Sequence, residues 1–370
     1  MTAPVYLEVC ALFEEQWTGI GTVVAAVTKQ ALADPSIDWR FIYETVELPR
    51  ALMERLLEER TGATARTTFA ERIWEHEHVP YAEAAGARAV FTNIKPMRGL
   101  FGQEAMIVYD LSPILTPQFH NMDTINHFAN RFRADVESSV HFFPISKATR
   151  DDLETYFGVA RAATSVVPMG IDMDLGSLSL AQQVARTHQV EPYVVILGTL
   201  EPRKNGRLML EYLARNPGFV HRFKVVFIGR NGWLEERERL VRQAEAAGVP
   251  RDRIVFTGYV SEREKVGLLY NATFCIYPSF FEGYGLPILE AAVLGKLIVC
   301  SNTSSMPEVA PEQCFFFDPG SILEFSRAVG LAEKRALQLR LPLALPEIAE
   351  RLAHHSWEPC YATIRAWALA

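Results

Sequence analysis

Between residues 193 and 300, short apolar runs alternate with amphipathic stretches, and each gap is long enough for one helix. The runs 193–197, 224–228, 253–256, 274–277 and 297–300 read as strands, and 206–216, 233–247 and 286–294 read as helices. Ser261 and Glu264 form a capping-box pattern that predicts a further helix running to Asn271. Gly248 with Pro250, and later Gly295, supply the stops. Such βα repetition predicts a parallel sheet covered by helices on both faces. Ligands of these sheets bind outside the C-terminal strand ends. The loops after 197, 228, 256, 277 and 300 are therefore expected to line one crevice. The first half repeats the pattern less regularly, with strands expected at 5–12, 39–43, 89–91, 106–108 and 141–144. There a Gly19-Ile20-Gly21 turn leads into a helix over 22–33.

A chain of 370 residues exceeds what one hydrophobic core usually serves, so two domains are expected. We set them at 1–185 and 186–345, with a polar linker over 179–192 and a helical segment at 346–370. No apolar run reaches the roughly 18–20 residues of a membrane span, and no basic-then-apolar leader opens the sequence. A cytoplasmic protein is the expectation. The five cysteines show no C-x-x-C pairing and read as free thiols, which also leaves the sequons at Asn271 and Asn302 without meaning. Net charge is −7, with the acidic excess in the first 185 residues, which argues against nucleic acid and against strong attraction to anionic lipid.

The chemistry concentrates in the run S-F-F-E-G-Y-G-L-P-I-L-E at 279–290. It leads from an expected strand through glycines 283 and 285 into a helix beginning near Leu286 and Pro287. The start of that helix, with its exposed N–H groups and positive dipole end, forms a ready anion site. Glu282 stands before the helix and Glu290 one turn inside it. A carboxylate repels phosphate, so these two suit hydroxyls. A phosphate site beside hydroxyl acceptors suggests a nucleotide sugar. Gly198-Thr199 opens a second strand-end loop that carries Arg203 and Lys204, two cations able to neutralise a diphosphate or to lie in a solvated turn. Gly229-Arg230 and Gly258-Tyr259 also follow strands and offer backbone to a base or ribose, or are plain turns. Trp17 fits a core position or a sugar platform. His76-x-His78 and His354-His355 lack a metal spacing.

These residues resemble the retaining glycosyltransferases of family 4, which have the GT-B fold. The resemblance rests on E-P-R-K-N at 201–205, F-T-G-Y-V at 256–260, E-G-Y-G-L-P-I-L-E at 282–290, S-S-M-P-E-V-A at 304–310 and D-P-G at 318–320. In the first half, G-I-G at 19–21, Y-D-L-S-P at 109–113, P-I-S-K-A-T-R-D-D-L at 144–153 and V-P-M-G-I-D at 167–172 are similar too. It implies α/β architecture with two Rossmann-like domains facing across a cleft, donor on the second and acceptor mainly on the first. It also implies that the segment 346–370 returns to the first domain. Carried over, Glu290 would bind the ribose hydroxyls and Glu282 the transferred sugar. Arg203 and Lys204 would bind the diphosphate, helped by Gly283, Tyr284, Gly285 and Leu286. Gly198, Thr199, Gly229, Arg230 and Tyr259 would complete the donor site, with Gly19 and Gly21 closing over the phosphates. No metal and no cofactor is implied. Where the family commonly has histidine, this chain has Tyr109, which can still donate to a sugar hydroxyl.

The expected function is a retaining, metal-independent transfer of a hexose from a nucleoside diphosphate to a hydroxyl. GDP-mannose is the first guess. The acceptor would be a glycan, a lipid-linked glycan or a small molecule, with at most weak peripheral membrane contact. A nucleotide-sugar epimerase or hydrolase of the same fold is an alternative, and a non-catalytic partner subunit another. A nicotinamide dehydrogenase is disfavoured, because Gly19-Ile20-Gly21 lacks the third glycine of the dinucleotide fingerprint.

Overall fold

The computed structural model describes residues 3–15, 17–59, 77–180, 191–232, 235–338 and 343–370. Its first sheet contains β1 (Val5–Glu8), β2 (Trp39–Tyr43), β3 (Val46–Leu48), β4 (Arg88–Phe91), β5 (Gln103–Val108) and β6 (His141–Pro144). The second contains β7 (Tyr193–Leu197), β8 (Lys224–Ile228), β9 (Ile254–Phe256), β10 (Phe274–Tyr277), β11 (Ile298–Ser301) and β12 (Phe315–Phe317). The longer helices are α1 (Gly19–Ala33), α2 (Arg50–Glu59), α3 (Lys147–Phe157), α4 (Gly206–Arg215) and α5 (Glu236–Ala246). They continue with α6 (Glu262–Asn271), α7 (Leu286–Val293), α8 (Ile322–Ala336), α9 (Leu345–Ala353) and α10 (Glu358–Leu369).

The sheets run β3-β2-β1-β4-β5-β6 and β12-β11-β10-β7-β8-β9. Every pairing is parallel except the edge pair β2–β3, which is antiparallel. Both orders are those of the dinucleotide-binding α/β fold, in which the winding reverses between the first and fourth strands. The reversals therefore lie at β1/β4 and β7/β10. In the second sheet Val194, Ile196, Val225, Phe227, Phe274 and Ile276 pack on one face with Met209 of α4 and Phe325 of α8. Tyr193, Val195, Val226, Ile228, Cys275 and Tyr277 alternate onto the other face, against Val266 of α6 and Leu289 of α7. Burial on both faces explains why these strands read as continuous apolar runs.

The chain divides into two compact units, one of residues 1–111, 126–170 and 357–370, the other of 112–125 and 171–356. The unit boundaries therefore differ from the expected breaks after 185 and 345. Most of the expected linker lies outside the described residues, as do His76 and the first two residues of the helix expected over 233–247. The C-terminal segment splits. Ile348 of α9 belongs to the second unit's core. Tyr361 of α10 belongs to the first unit, where its hydroxyl accepts from Trp39 Nε1 at 2.9 Å and donates to Asp34 Oδ2 at 2.7 Å.

Three local expectations need correction. The strand expected over 5–12 ends at Glu8, because Cys10–Phe13 turns into a 3-10 helix whose Cys10 N–H donates to Glu8 Oε1 at 2.6 Å. Gly19-Ile20-Gly21 is the first turn of α1, not a loop before it. The edge strands β3 and β12 went unread. Each is three residues long, too short for a periodicity to show.

Candidate active site

Two loops meet at the reversal of the second sheet, one leaving β7 and one leaving β10. Asn205 ties them together. It sits in the left-handed region at φ 54° as the cap of α4, and its buried amide Nδ2 donates to Pro278 O and Pro319 O, both at 3.1 Å. The Phe280 N–H adds a bond to Arg203 O at 2.9 Å. Gly198 and Gly229 cross closely here. A Cβ on Gly229 (φ 148°) would lie 2.1 Å from Gly198 O, so only glycine fits.

The Asn205 and Phe280 bonds between the β7 and β10 loops bring Arg203, Lys204 and Glu282 into one cluster. Lys204 Nζ lies 2.7 Å from Glu282 Oε1, and Arg203 Nη1 lies 3.0 Å from Glu282 Oε2. Arg203 Nη2 also reaches Glu201 Oε1 at 2.6 Å, and Lys204 Nζ donates to Tyr277 OH at 3.2 Å. Arg203 Nη1 donates to the Phe281 carbonyl as well. The backbone of Glu282 is fixed by serines: its N–H donates to Ser304 Oγ at 2.9 Å, and its carbonyl accepts from Ser305 Oγ at 2.8 Å. Burial alone would raise the Glu282 carboxyl, but the two cations reverse this and hold it at about 2. Glu201 goes the other way, raised by burial against the pull of Arg203. The result is a buried, hydrogen-bonded ion cluster at the strand ends, with the α7 N-terminus next to it along the chain.

Gly285 caps α7 at φ 104°, and Leu286 and Pro287 are its first two residues. Gly283 is buried and Tyr284 half-buried, and the Tyr284 carbonyl accepts from Ser305 Oγ at 2.9 Å. Glu290 lies one turn in, with Lys265 Nζ of α6 at 2.9 Å from its Oε1. Thr199 is half-buried, while Arg230 and Tyr259 are exposed. Arg230 contributes a backbone carbonyl that accepts from Leu200 N at 2.9 Å.

Of the remaining named residues, Trp17, Gly19, Gly21 and Tyr109 belong to the first unit and His354 and His355 to the second. Tyr109 follows β5, its hydroxyl buried with no hydrogen-bond partner among the described residues, and burial pushes its phenol well above the ordinary value. A Cβ on Gly21 would lie 2.9 Å from Trp17 Cβ, so this glycine seats the half-buried Trp17, whose Nε1 donates to Leu12 O at 3.1 Å. His354 Nδ1 meets the Glu350 carbonyl at 2.8 Å, and the His355 carbonyl accepts from Ile171 N. Among the described residues, no group of three or more His, Cys, Asp or Glu is arranged to hold a metal ion.

Sequence reading missed Glu201, Lys265, Ser304 and Ser305 as parts of this site, and saw in Asn205 only a helix start. Asn205 had a usable signal, since asparagine is among the few residues that tolerate φ > 0 at a cap. Lys265, 25 positions before its partner, had none.

Two Rossmann-like units, the second with a cation–carboxylate cluster at its strand-order reversal, place the chain in the α/β class. Residues 181–342 match the family described as glycosyl transferases group 1. The chain thus carries a group 1 glycosyltransferase domain and is a glycosyltransferase. It is 27% identical to O-antigen chain mannosyltransferase B of Escherichia coli, over 70% of this chain and 69% of that protein. It is 23% identical to the serotype-specific mannosyltransferase WbdA of Escherichia coli over 60% of this chain, a match spanning only 28% of WbdA. Among solved structures, sucrose-phosphate synthase from Thermosynechococcus elongatus superposes with TM-score 0.66 at 16% identity, covering 99% of this chain and 98% of that one. WaaG, a glycosyltransferase involved in lipopolysaccharide biosynthesis, gives 0.61 at 15%, covering 98% of each. These likenesses make the fold GT-B.

Proposed function

We propose that this chain transfers mannose from GDP-mannose to a hydroxyl of a growing or lipid-linked glycan, with retention at the anomeric carbon. The observation that carries the reading is Glu282 bridged to both Arg203 and Lys204 at the second sheet's reversal. Two cations beside a helix N-terminus suit a departing diphosphate, which preorganised donors stabilise as its charge develops. The bond from the anomeric carbon to the diphosphate breaks as the bond to the acceptor oxygen forms, and the acceptor's hydroxyl proton passes to an oxygen of the departing diphosphate. Glu282 holds both cations, so donor binding would exchange that carboxylate for phosphate oxygens and turn Glu282 toward the sugar hydroxyls. Glu290 would accept from the ribose, while Gly19, Gly21 and Tyr109 would serve from the first unit. The choice of mannose follows the relatives named as mannosyltransferases. No described helix is long and apolar enough to cross a membrane, which suits action at the cytoplasmic side on an acceptor presented there.

A thermal-shift panel of GDP-, UDP-, ADP- and dTDP-linked sugars tests the donor, since a ligand of the folded state raises Tm with its affinity. GDP-mannose is expected to give the largest shift. In transfer assays Glu282→Ala and Lys204→Ala should each lower kcat by roughly 100-fold or more. Wild-type rates in both variants would sink the reading, and donor turnover without acceptor would favour a hydrolase or epimerase.

A further inference from the structure

Residues 112–125 belong to the second unit, although the chain on either side of them, 1–111 and 126–170, belongs to the first. The stretch is built of short turns. Ser112–Leu115 is one helical turn, and Thr116 Oγ1 donates to Ser112 O at 2.9 Å. Pro117–Phe119 is a 3-10 turn that opens on proline, whose ring fixes its φ. Asn121 Oδ1 then accepts from Thr124 N at 2.8 Å, at the start of the helix Met122–His127. A stiff piece of backbone therefore holds out Phe119.

Its ring stacks on that of Phe280, with centroids 4.9 Å apart and planes 11° from parallel. Both side chains are half-buried. The Phe280 backbone is tied separately. Its N–H donates to Arg203 O and its carbonyl accepts from Thr303 Oγ1, both at 2.9 Å. Two residues further on, the Glu282 N–H donates to Ser304 Oγ. Hydrogen bonds thus fix the course of this loop, and the stack fixes the ring that projects from it. A pair of half-buried parallel rings adds a defined orientation beyond the apolar area it covers.

We propose that Phe119 is a positioning residue for the Glu282 loop, a brace that keeps the backbone of 280–282 still while the Glu282 side chain moves. The bracing stands on geometry alone; its consequence for turnover rests on the proposed function, in which Glu282 leaves the cations for sugar hydroxyls. With the backbone held, that exchange reduces to a side-chain rotation, and the carboxylate meets the sugar in one orientation.

Hydrogen exchange of the full chain, read by mass spectrometry, tests the brace. Phe119→Ala should speed exchange of the amides of 280–284 roughly 3- to 10-fold, the worth of one aromatic stack, and leave those of β7 and β8 at the wild-type rate. Phe119→Leu keeps the apolar bulk without the flat face and should behave like Phe119→Ala, whereas Phe119→Tyr should restore slow exchange. In the transfer assays Phe119→Ala should lower kcat about 10-fold with the donor KM within about threefold, and Phe119→Tyr should recover the rate. Unchanged exchange at 280–284 in Phe119→Ala would overturn the inference, as would slow exchange in Phe119→Leu or a wild-type kcat in Phe119→Ala. Faster exchange throughout the second unit would reduce Phe119 to a packing residue and overturn it as well. All four results leave the donor reading standing, because that reading falls only on the Glu282 and Lys204 variants.

Discussion

Glu282 carries a pH signature that does not depend on catalysis. Its folded carboxyl lies at about 2 against an ordinary value of 4.5, because Arg203 and Lys204 outweigh the effect of burial. A carboxyl depressed on folding contributes stability that is complete above its unfolded value and lost as pH falls through the folded one. The cluster should therefore lose its contribution between about pH 4.5 and pH 2. Denaturant unfolding across that range is expected to show a fall that is shallower in Glu282→Gln, while Asp34 and the other depressed carboxyls keep the remainder. At neutral pH the same substitution leaves Lys204 without its carboxylate and Arg203 with one instead of two. Breaking a buried pair in this way should cost about 3 kcal/mol. If unfolding curves of the variant and wild type ran parallel from pH 7 to pH 2, the cluster would not be an ion pair in solution.

At the scale of elements, the site depends on two loops held in register by one amide. Asn205→Ala would leave the buried Pro278 and Pro319 carbonyls unpaired and force alanine into φ 54°. Asn205→Gly removes the bonds but relieves the backbone. The expected losses in unfolding free energy are about 3 kcal/mol for alanine and about 2 for glycine, read from denaturant midpoints. Both variants should raise KM for the donor, because Arg203 and Lys204 hang from the same loop. This dependence marks where sequence reading succeeded and where it stopped. The strands β7, β8 and β10 were legible because burial on two faces forces continuous apolar runs. The start of α7 was legible because Gly-Leu-Pro is a local signal. The tie from Asn205 to Pro319 spans 114 positions and the pair Lys265–Glu290 spans 25, and no periodicity encodes either. The 5–12 run misled for a related reason. Its apolar residues continue past Glu8, yet a hydrogen bond to that side chain turns the backbone away from the sheet.

At the scale of the whole molecule, the first unit is assembled from three stretches of chain and closes with the last one. Helix α10 brings Cys360, Tyr361 and Ile364 into buried positions, although the whole second unit precedes it in sequence. Tyr361 is the polar part of that closure, since its hydroxyl satisfies the indole of Trp39 and donates to Asp34. Arg365 Nε reaches the same Asp34 oxygen at 2.7 Å, so one carboxylate anchors two residues of α10. Tyr361→Phe keeps the ring and its packing but leaves the buried Trp39 N–H without an acceptor. The expected cost is about 1–3 kcal/mol, the desolvation penalty of one orphaned group. That loss should fall on the first unit alone. Tryptophan fluorescence would not follow both units, because only Trp233 of the six tryptophans falls within the residues of the second. Hydrogen exchange would, since the amides of β1, β2 and α1 should exchange faster in the variant while those of β7, β8 and β10 stay at the wild-type rate. Faster exchange in both units would instead mean that they unfold as one cooperative body. In that case α10 would support the Glu282 cluster as well as the unit it packs in.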